Sequence, residues 1–464
     1  MRWRVMGLAL LVACGDREAT ELPPEGQLLV YFTTDAPLPA APGTTLGPDD
    51  APALFDRARV EIFPPGARQP CVECTHEFEL DRTLVAKGRA SVGVVPKPET
   101  PGYVVRVRVF KTAYVDAGEP RPDGALDVTA ALPPIPAEGV TEVTVVLRTE
   151  DVARPLGTLD APVAVERGRP PEGFAGSWRP AQRRSCGREA ASGTVCVPGG
   201  AFFWGNPILR TLLASGDAFG LRLVTLEPFF LDTTEVTTQA FRAAKSAMAR
   251  DPLRYDPNDG APGPRLHCTY TDAPNNSDDL PVNCLSWERA RAHCVARGGD
   301  LPTEAQLAYV TGALESRAYP WGADPPTCAD AVYGRMPGIP PEYACPGVWV
   351  LPPGSGRRDR VTLPSGTVLD LVGNVNEYAR DAWSVFDDAC MGRGLLHEPF
   401  CERAQTTSHV LVGGTYVDGA AALPTGTRRP SIDFARASKQ GPAGGLDAPS
   451  LTSVGFRCAF PPGP

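Results

Sequence analysis

The sequence predicts an α+β protein in which a small all-β sandwich precedes a loop-rich domain with few, short helices. Three observations predict it. Between Gln27 and Val152 valine alternates with arginine or threonine, as in Val105-Arg106-Val107-Arg108-Val109 and Val143-Thr144-Val145, the period of two expected of half-buried strands. Beyond Cys196 that alternation gives way to isolated helix signals set in long aperiodic stretches. The 464 residues include 47 glycines and 51 prolines with 42% hydrophobic and 21% charged residues, a globular composition too rich in turn formers for a helical bundle. Charge narrows the partners: the net charge is −9, the basic residues are 5 Lys against 40 Arg, and nothing gathers into the basic face that a nucleic-acid surface needs.

The first element is an export signal. Arg2 and Arg4 precede an apolar run from Val5 to Ala13, too short to serve as a permanent membrane span. Leu11-Val12-Ala13-Cys14 resembles the lipobox of bacterial lipoproteins, which implies removal of residues 1–13 and acylation of Cys14. Residues 14–26, acidic and proline-containing, then read as a tether. The expected location is the bacterial cell envelope, as an outer-membrane or surface lipoprotein held by lipid. The 13 cysteines include Cys14; the other twelve, an even number, fit the disulfide framework of an exported protein. Close spacing nominates Cys186 with Cys196, Cys268 with Cys284, Cys328 with Cys345, and Cys390 with Cys401. Cys71 and Cys74 read as a structural bridge rather than a zinc or redox pair, because no further ligand set and no strand-to-helix context accompanies them.

Residues 27–152 hold strand signals at 28–33, 58–63, 91–95, 103–110 and 140–148, which predict a small antiparallel, Ig-like sandwich. Residues 153–191, with Arg167-Gly168-Arg169-Pro170-Pro171, read as a linker. In the region 192–460 one helix is expected from Thr238 to about Ala249. Another runs from Trp287 to Arg297, capped by Ser286 and stopped by Gly298-Gly299. A third, to about Thr311, is opened by the capping box of Thr303 and Gln306.

Seven segments of this second region stand in a telling order. They are Phe229 to Thr237 (with Asp232, Glu235 and Val236), Pro281 to Ala290, Leu301-Pro302-Thr303-Glu304-Ala305-Gln306, Tyr319-Pro320-Trp321-Gly322, Gly373-Asn374-Val375-Asn376-Glu377, Gly413-Gly414-Thr415-Tyr416, and Val454-Gly455-Phe456-Arg457-Cys458. Together they resemble the formylglycine-generating enzyme family, also called sulfatase-modifying factors. The resemblance implies a C-type-lectin-like, loop-rich α+β fold. It also implies a long-range bridge between Cys294 and Cys458, worth ~4 to 5 kcal/mol in the chain-entropy account.

The founding members of that family oxidise a cysteine of an unfolded sulfatase with molecular oxygen and a copper ion held by two thiolates, soft ligands for a soft ion. Carried over by position, those two cysteines fall on Asp418 and Leu423, and no cysteine follows as far as Arg429. Copper is therefore not expected. The five histidines show no i, i+4 pair, although His267, His293 and His409 could meet in three dimensions. Calcium is the expected cofactor, in a structural role. The resemblance assigns it to Asp370, the carbonyls of Gly373 and Val375, and Glu377, hard oxygen donors in one tight loop. A second calcium site would draw on Asp330 and the Ala331 carbonyl. Asp256-Pro257-Asn258-Asp259-Gly260 resembles the start of an EF-hand but lacks the glycine and glutamate such a loop needs. A ligand cleft is expected around Tyr416, Asp418 and Arg428 or Arg429, because that segment follows the family's active-site position. The function these readings favour is a calcium-stabilised binding or scaffold module of the cell envelope, recognising an envelope protein or a glycan. The alternative is an oxidoreductase of the same family acting on an exported protein through a different metal site.

Overall fold

The computed structural model describes residues 26–95 (except 45, 46, 48 and 49), 102–205, 220–244, 268–335, 344–384 (except 348), 389–431 (except 404, 405 and 407) and 451–462. The signal segment, Cys14, the EF-hand-like turn, His267 and the end of the helix expected from Thr238 lie outside the described residues.

Period-two alternation produces the first half as expected. Strands β1 (Gln27–Thr34), β2 (Arg57–Phe63), β3 (Thr75–Glu79), β4 (Ser91–Val94), β5 (Val104–Phe110), β6 (Ala125–Ala131) and β7 (Val140–Leu147) divide between two sheets. Val105, Val107 and Val109 of β5 are fully buried, facing a core shared with Leu28, Val30 and Phe32 of β1 and Val143 and Val145 of β7. The outer face of β5 carries the arginines: Arg106 pairs with Asp127 at 2.6 Å, and Arg108 with Glu61 at 2.8 Å and Glu119 at 2.6 Å. Alternation thus sorts apolar from charged side chains, and cross-strand charge covers the wet face. One pairing departs from the antiparallel expectation. β1 and β7 run parallel in register, Val30 opposite Val143, because the 105 residues between Thr34 and Val140 leave room for the crossing that a hairpin cannot make.

The segment 153–191, expected as a linker, is part of the fold. β8 (Val163–Ala164) adds to β6, β9 (Glu166–Arg167) adds to β7, and Trp178 enters the first core. Its Gly, Pro and Arg content disguised two short edge strands, where such residues are tolerated.

The second half is mixed and loop-rich. Strands β10 (Thr194–Val197), β13 (Phe229–Asp232) and β21 (Ala459–Phe460) form one small sheet; β11 (Gly200–Trp204), β12 (Arg222–Leu226) and β17 (Leu395–His397) form another. A hairpin of β14 (Arg360–Leu363) and β15 (Gly366–Leu369) precedes β16 (Asn376–Ala382), which lies between β18 (His409–Val412) and β20 (Val454–Gly455), with β19 (Arg428–Pro430) at the edge beyond β18. Among the described residues the helices of this half are α2 (Thr238–Ala243), α3 (Trp287–Ala296) and α4 (Glu304–Thr311); a further short one, α1 (Arg82–Ala86), belongs to the first half. The capping box at Thr303 forms, with Thr303 Oγ1 accepting from Gln306 N and Gln306 Oε1 accepting from Thr303 N. Gly298, at φ 85°, ends α3 where only glycine is unstrained.

All six bridges close as their spacing or the family resemblance nominated: Cys71–Cys74, Cys186–Cys196, Cys268–Cys284, Cys294–Cys458, Cys328–Cys345 and Cys390–Cys401. Among the described residues no helix is long and apolar enough to cross a membrane.

Candidate functional site

The loop from Asp370 to Glu377 forms because one carboxylate organises its backbone. Asp359, fully buried beside the β14–β15 hairpin, accepts N–H groups from Leu371 at 2.8 Å, Val372 at 3.1 Å and Gly373 at 2.9 Å. Burial, reinforced by the neighbouring Asp370, pushes the Asp359 carboxyl up to about 7. Asp370 itself turns the chain at φ 49°, and burial pushes its carboxyl up to about 6 against the lowering by the Gly354 N–H and the Arg457 guanidinium.

A guanidinium closes the loop from the other side. Arg457, wholly buried, donates Nε to Glu377 Oε1 at 2.8 Å and Oε2 at 2.7 Å, and Nη2 to Oε1 at 2.5 Å. It also donates to the carbonyls of Leu369 and Asp370, each at 2.9 Å, and of Asp232 at 3.3 Å. The members of the expected four-donor calcium set differ in what their oxygens already hold. Glu377 has both oxygens engaged by an internal cation, so it does not fit as a ligand, whereas Asp370 keeps Oδ1 without a partner. Gly373 and Val375 lie in the same turn, as expected. Asp330 of the second expected site lies in a turn, where its Oδ2 accepts from Thr327 N and Oγ1, both at 2.8 Å, beside the buried Ala331. Among the described residues no three His, Cys, Asp or Glu side chains gather as a metal-ligand group. His293 stacks on Phe241 and His409 on Trp287.

Of the residues expected to line a cleft near the family's active-site position, the structure brings Asp418 and Arg429 together and turns Arg428 elsewhere. Tyr416 is buried, its hydroxyl 3.5 Å from Thr452 Oγ1. Leu423 is fully buried in the apolar core. Asp418 is held bidentately by Arg429, at 3.1 and 2.9 Å, and accepts from Thr415 Oγ1 at 2.9 Å. Arg428 and Arg429 are neighbours on a strand, so they point to opposite faces, and Arg428 cannot join Asp418.

Arg428 leads instead to a cluster that the spacing of motifs does not announce. It meets Glu304 at 2.5 and 3.0 Å under the ring of Trp383, with both partners almost wholly buried. Asp381 stands beside them, accepting from Glu304 N at 2.8 Å and Cys401 N at 2.9 Å. Burial, then the charge of Glu304, pushes Asp381 up to about 7. The one available signal was Glu304 in the first turn of a helix otherwise apolar, a charge that burial obliges to find a cation. Elsewhere, between the two halves, a cavity of about 480 Å³ is lined by Pro39, Pro52, Phe55, Lys111 and Glu315.

Asp359, Asp381, Glu304 and Glu377 are matched by arginines or backbone N–H groups, and the twelve cysteines beyond Cys14 are consumed in bridges.

A family model described as "Sulfatase-modifying factor enzyme 1-like domain" matches residues 181–461, more than half of the chain. Among curated proteins, the formylglycine-generating enzyme of Thermomonospora curvata is 29% identical over 164 residues, 29% of this chain and 54% of that protein. The inactive C-alpha-formylglycine-generating enzyme 2 of Mus musculus is 27% identical over 157 residues, 28% of this chain and 50% of the relative. Its counterpart from Bos taurus is 32% identical over 112 residues, 24% of this chain and 35% of the relative. The chain thus spans about half or less of the length of the curated relatives it matches. Of solved structures, PvdO from Pseudomonas aeruginosa aligns with a TM-score of 0.42 and 18% identity, over 61% of this chain and 98% of PvdO. Treponema denticola variable protein 1 aligns with a TM-score of 0.38 and 14% identity, over 58% and 94%.

Proposed function

The chain belongs to the family of sulfatase-modifying factor enzyme 1-like domains through residues 181–461, and from that premise we propose that it is a binding or scaffold module of the bacterial cell envelope without the family's copper chemistry. One observation carries the reading. Copper-thiolate chemistry needs two free thiolates, and each of the twelve cysteines beyond Cys14 is paired in a bridge, while Asp418 and Leu423 stand where the resemblance puts the metal thiolates. Asp418 is spent on Arg429 and Leu423 on the core, so neither is a substitute ligand. Relatives named as inactive exist in the same family, which agrees with this reading.

The module is exported and lipid-anchored at Cys14, and its partner is an envelope protein or a glycan. Six disulfides fit the oxidising side of a membrane. Calcium in this reading is a stabilising ion and not a catalytic one.

The test has two arms on the full chain. Incubated with copper(I), oxygen and a cysteine-containing sulfatase peptide, the protein is expected to form no formylglycine by mass spectrometry and to retain no stoichiometric copper after gel filtration. On an array of envelope glycans and extracted envelope proteins it is expected to show saturable binding. Peptide turnover would reverse the reading in favour of an oxidoreductase.

A further inference from the structure

Lys111 directly follows β5 and lines the cavity of about 480 Å³ between the two halves. That volume lies in the ordinary range of small-molecule sites, which favour the junctions between folded units. Pro39, Pro52, Ala53 and Phe55 give the first half's share of the lining an apolar wall, and Ala318 continues it across the junction. Arg317 and Ala323, also in the lining, are exposed, so the cavity opens to solvent.

The charges around the cavity are committed, with one exception. Asp56 Oδ1 accepts from Thr112 N at 2.7 Å and from Thr112 Oγ1 at 2.8 Å. Glu315 pairs with Arg317 at 2.8 Å and faces Arg183 at 3.7 Å, which engages Arg317 in turn. The Lys111 ammonium donates a long hydrogen bond of 3.4 Å to the Glu315 carbonyl, lies 5.9 Å from the centre of the Tyr114 ring, and forms no ion pair with a described carboxylate. Burial pushes its amine below the usual lysine range, against the raising influence of Asp56 and Glu315. An ammonium left short of both partners and water is costly until an anion meets it. The backbone opposite is strained: Ala313, Leu314 and Ser316 take φ of 53°, 61° and 61°, left-handed values that residues with a Cβ rarely adopt away from functional loops. That turn brings the Glu315 carbonyl to Lys111, and Ser316 Oγ pins it by accepting from Phe203 N at 2.9 Å.

We propose that this cavity binds a small apolar monocarboxylate, with the carboxylate on the Lys111 ammonium and the hydrocarbon body against Pro39, Pro52 and Phe55. A single lysine is a compact point charge without the guanidinium fork that grips a phosphate bidentately, so a singly charged ligand matches it better than a dianion. The site adds a small ligand to the macromolecular partner proposed above and does not depend on that partner.

Calorimetric titration of the full chain with octanoate and with 3-phenylpropanoate tests it, the matching primary amides serving as neutral controls. At least one carboxylate is expected to bind saturably, one per chain, and at least about tenfold more tightly than its amide. Lys111→Met should fold, since it removes a poorly paired ammonium, and should bind at least about tenfold more weakly. Ala53→Phe, which fills the cavity and keeps the lysine, should bind neither probe. In trace acetylation followed by mass spectrometry, the bound carboxylate should protect Lys111 and leave the exposed Lys87 unchanged. Failure of both carboxylates to bind at millimolar concentration would overturn the proposal. So would equal affinity for acid and amide, binding by Ala53→Phe at parental strength, or Lys111 labelling that the ligand does not alter.

Discussion

At the scale of single residues, the pair of Glu304 and Arg428 shows how costly an ionised side chain becomes once the fold has removed its water. Both are almost wholly buried, and each is the other's counter-charge. Glu304→Ala removes the carboxylate from a buried guanidinium that also donates to the Ser384 carbonyl at 2.8 Å and lies against the Trp383 ring. The expected loss is about 3–5 kcal/mol in chemical denaturation. The double variant Glu304→Leu with Arg428→Met should recover most of that loss, because removing both charges also removes both desolvation costs; recovery of none of it would mean the pair is not the source. Asp381 beside it gives a pH signature. Its carboxyl titrates near 7 in the folded chain and near ~3.9 when unfolded. Between those values the native state holds the extra proton, and this group's contribution to stability rises as pH falls. The groups facing it are Glu304, Arg428 and, through the backbone, His409. His293 has the opposite sign, since burial pushes its imidazole down to about 4 and the unfolded chain takes that proton first. A difference experiment separates them. The stability of the parent minus that of Asp381→Asn should grow by up to about 1.4 kcal/mol per pH unit from pH 7 towards pH 5, with the His293 contribution cancelling. A flat difference would sink the assignment.

At the scale of elements, what was legible depended on whether the deciding contact was local. Strands β1, β2, β4, β5 and β7 were readable because period two is written in consecutive residues, α4 because its capping box lies within its first turn, and α3 because Gly298 stops it; Ser286, expected to cap α3, makes no side-chain capping hydrogen bond. The six bridges were readable as pairs, five by short spacing and one, Cys294–Cys458, through the family resemblance. The parallel pairing of β1 with β7 was not, since its register is set by a shared core and no turn residue records it. The edge strands β8 and β9 were hidden for a related reason: two residues each, in a Gly- and Pro-rich stretch, carry no periodicity. The same divide runs through the site. Asp370 and Glu377 were visible as carboxylates in one loop, but Asp359 works by accepting backbone N–H groups, which any sequence supplies. Arg457 sits 80 residues beyond the Glu377 it neutralises, so only the fold brings the two together.

At the scale of the whole molecule, the two halves are joined by packing and not only by chain. Phe203 on β11, within the family domain, is almost fully buried and stands edge-to-face with Phe55 at 5.7 Å and Tyr114 at 5.2 Å, both from the first half. Leu221 and Leu223 enter the same core, Leu221 N donates to Asp123 Oδ2 at 2.9 Å, and Lys111 Nζ reaches the Glu315 carbonyl at 3.4 Å. A boundary drawn at residue 192 from composition therefore divides a continuous core, and removes Trp178 and Ala181 from it. Cooperativity should follow the core and not the boundary. Phe203→Ala is expected to cost about 3–5 kcal/mol, as large aromatic deletions in a well-packed core do. It should also lower hydrogen-exchange protection in β5 and β12 together, although only β12 lies in the mutated sheet. If protection falls in β12 while β5 is unchanged, the halves unfold separately and the shared core is only an abutment. If both fall, the N-terminal sheets brace the family domain, and a partner bound to either half will be felt by the other as a change in stability.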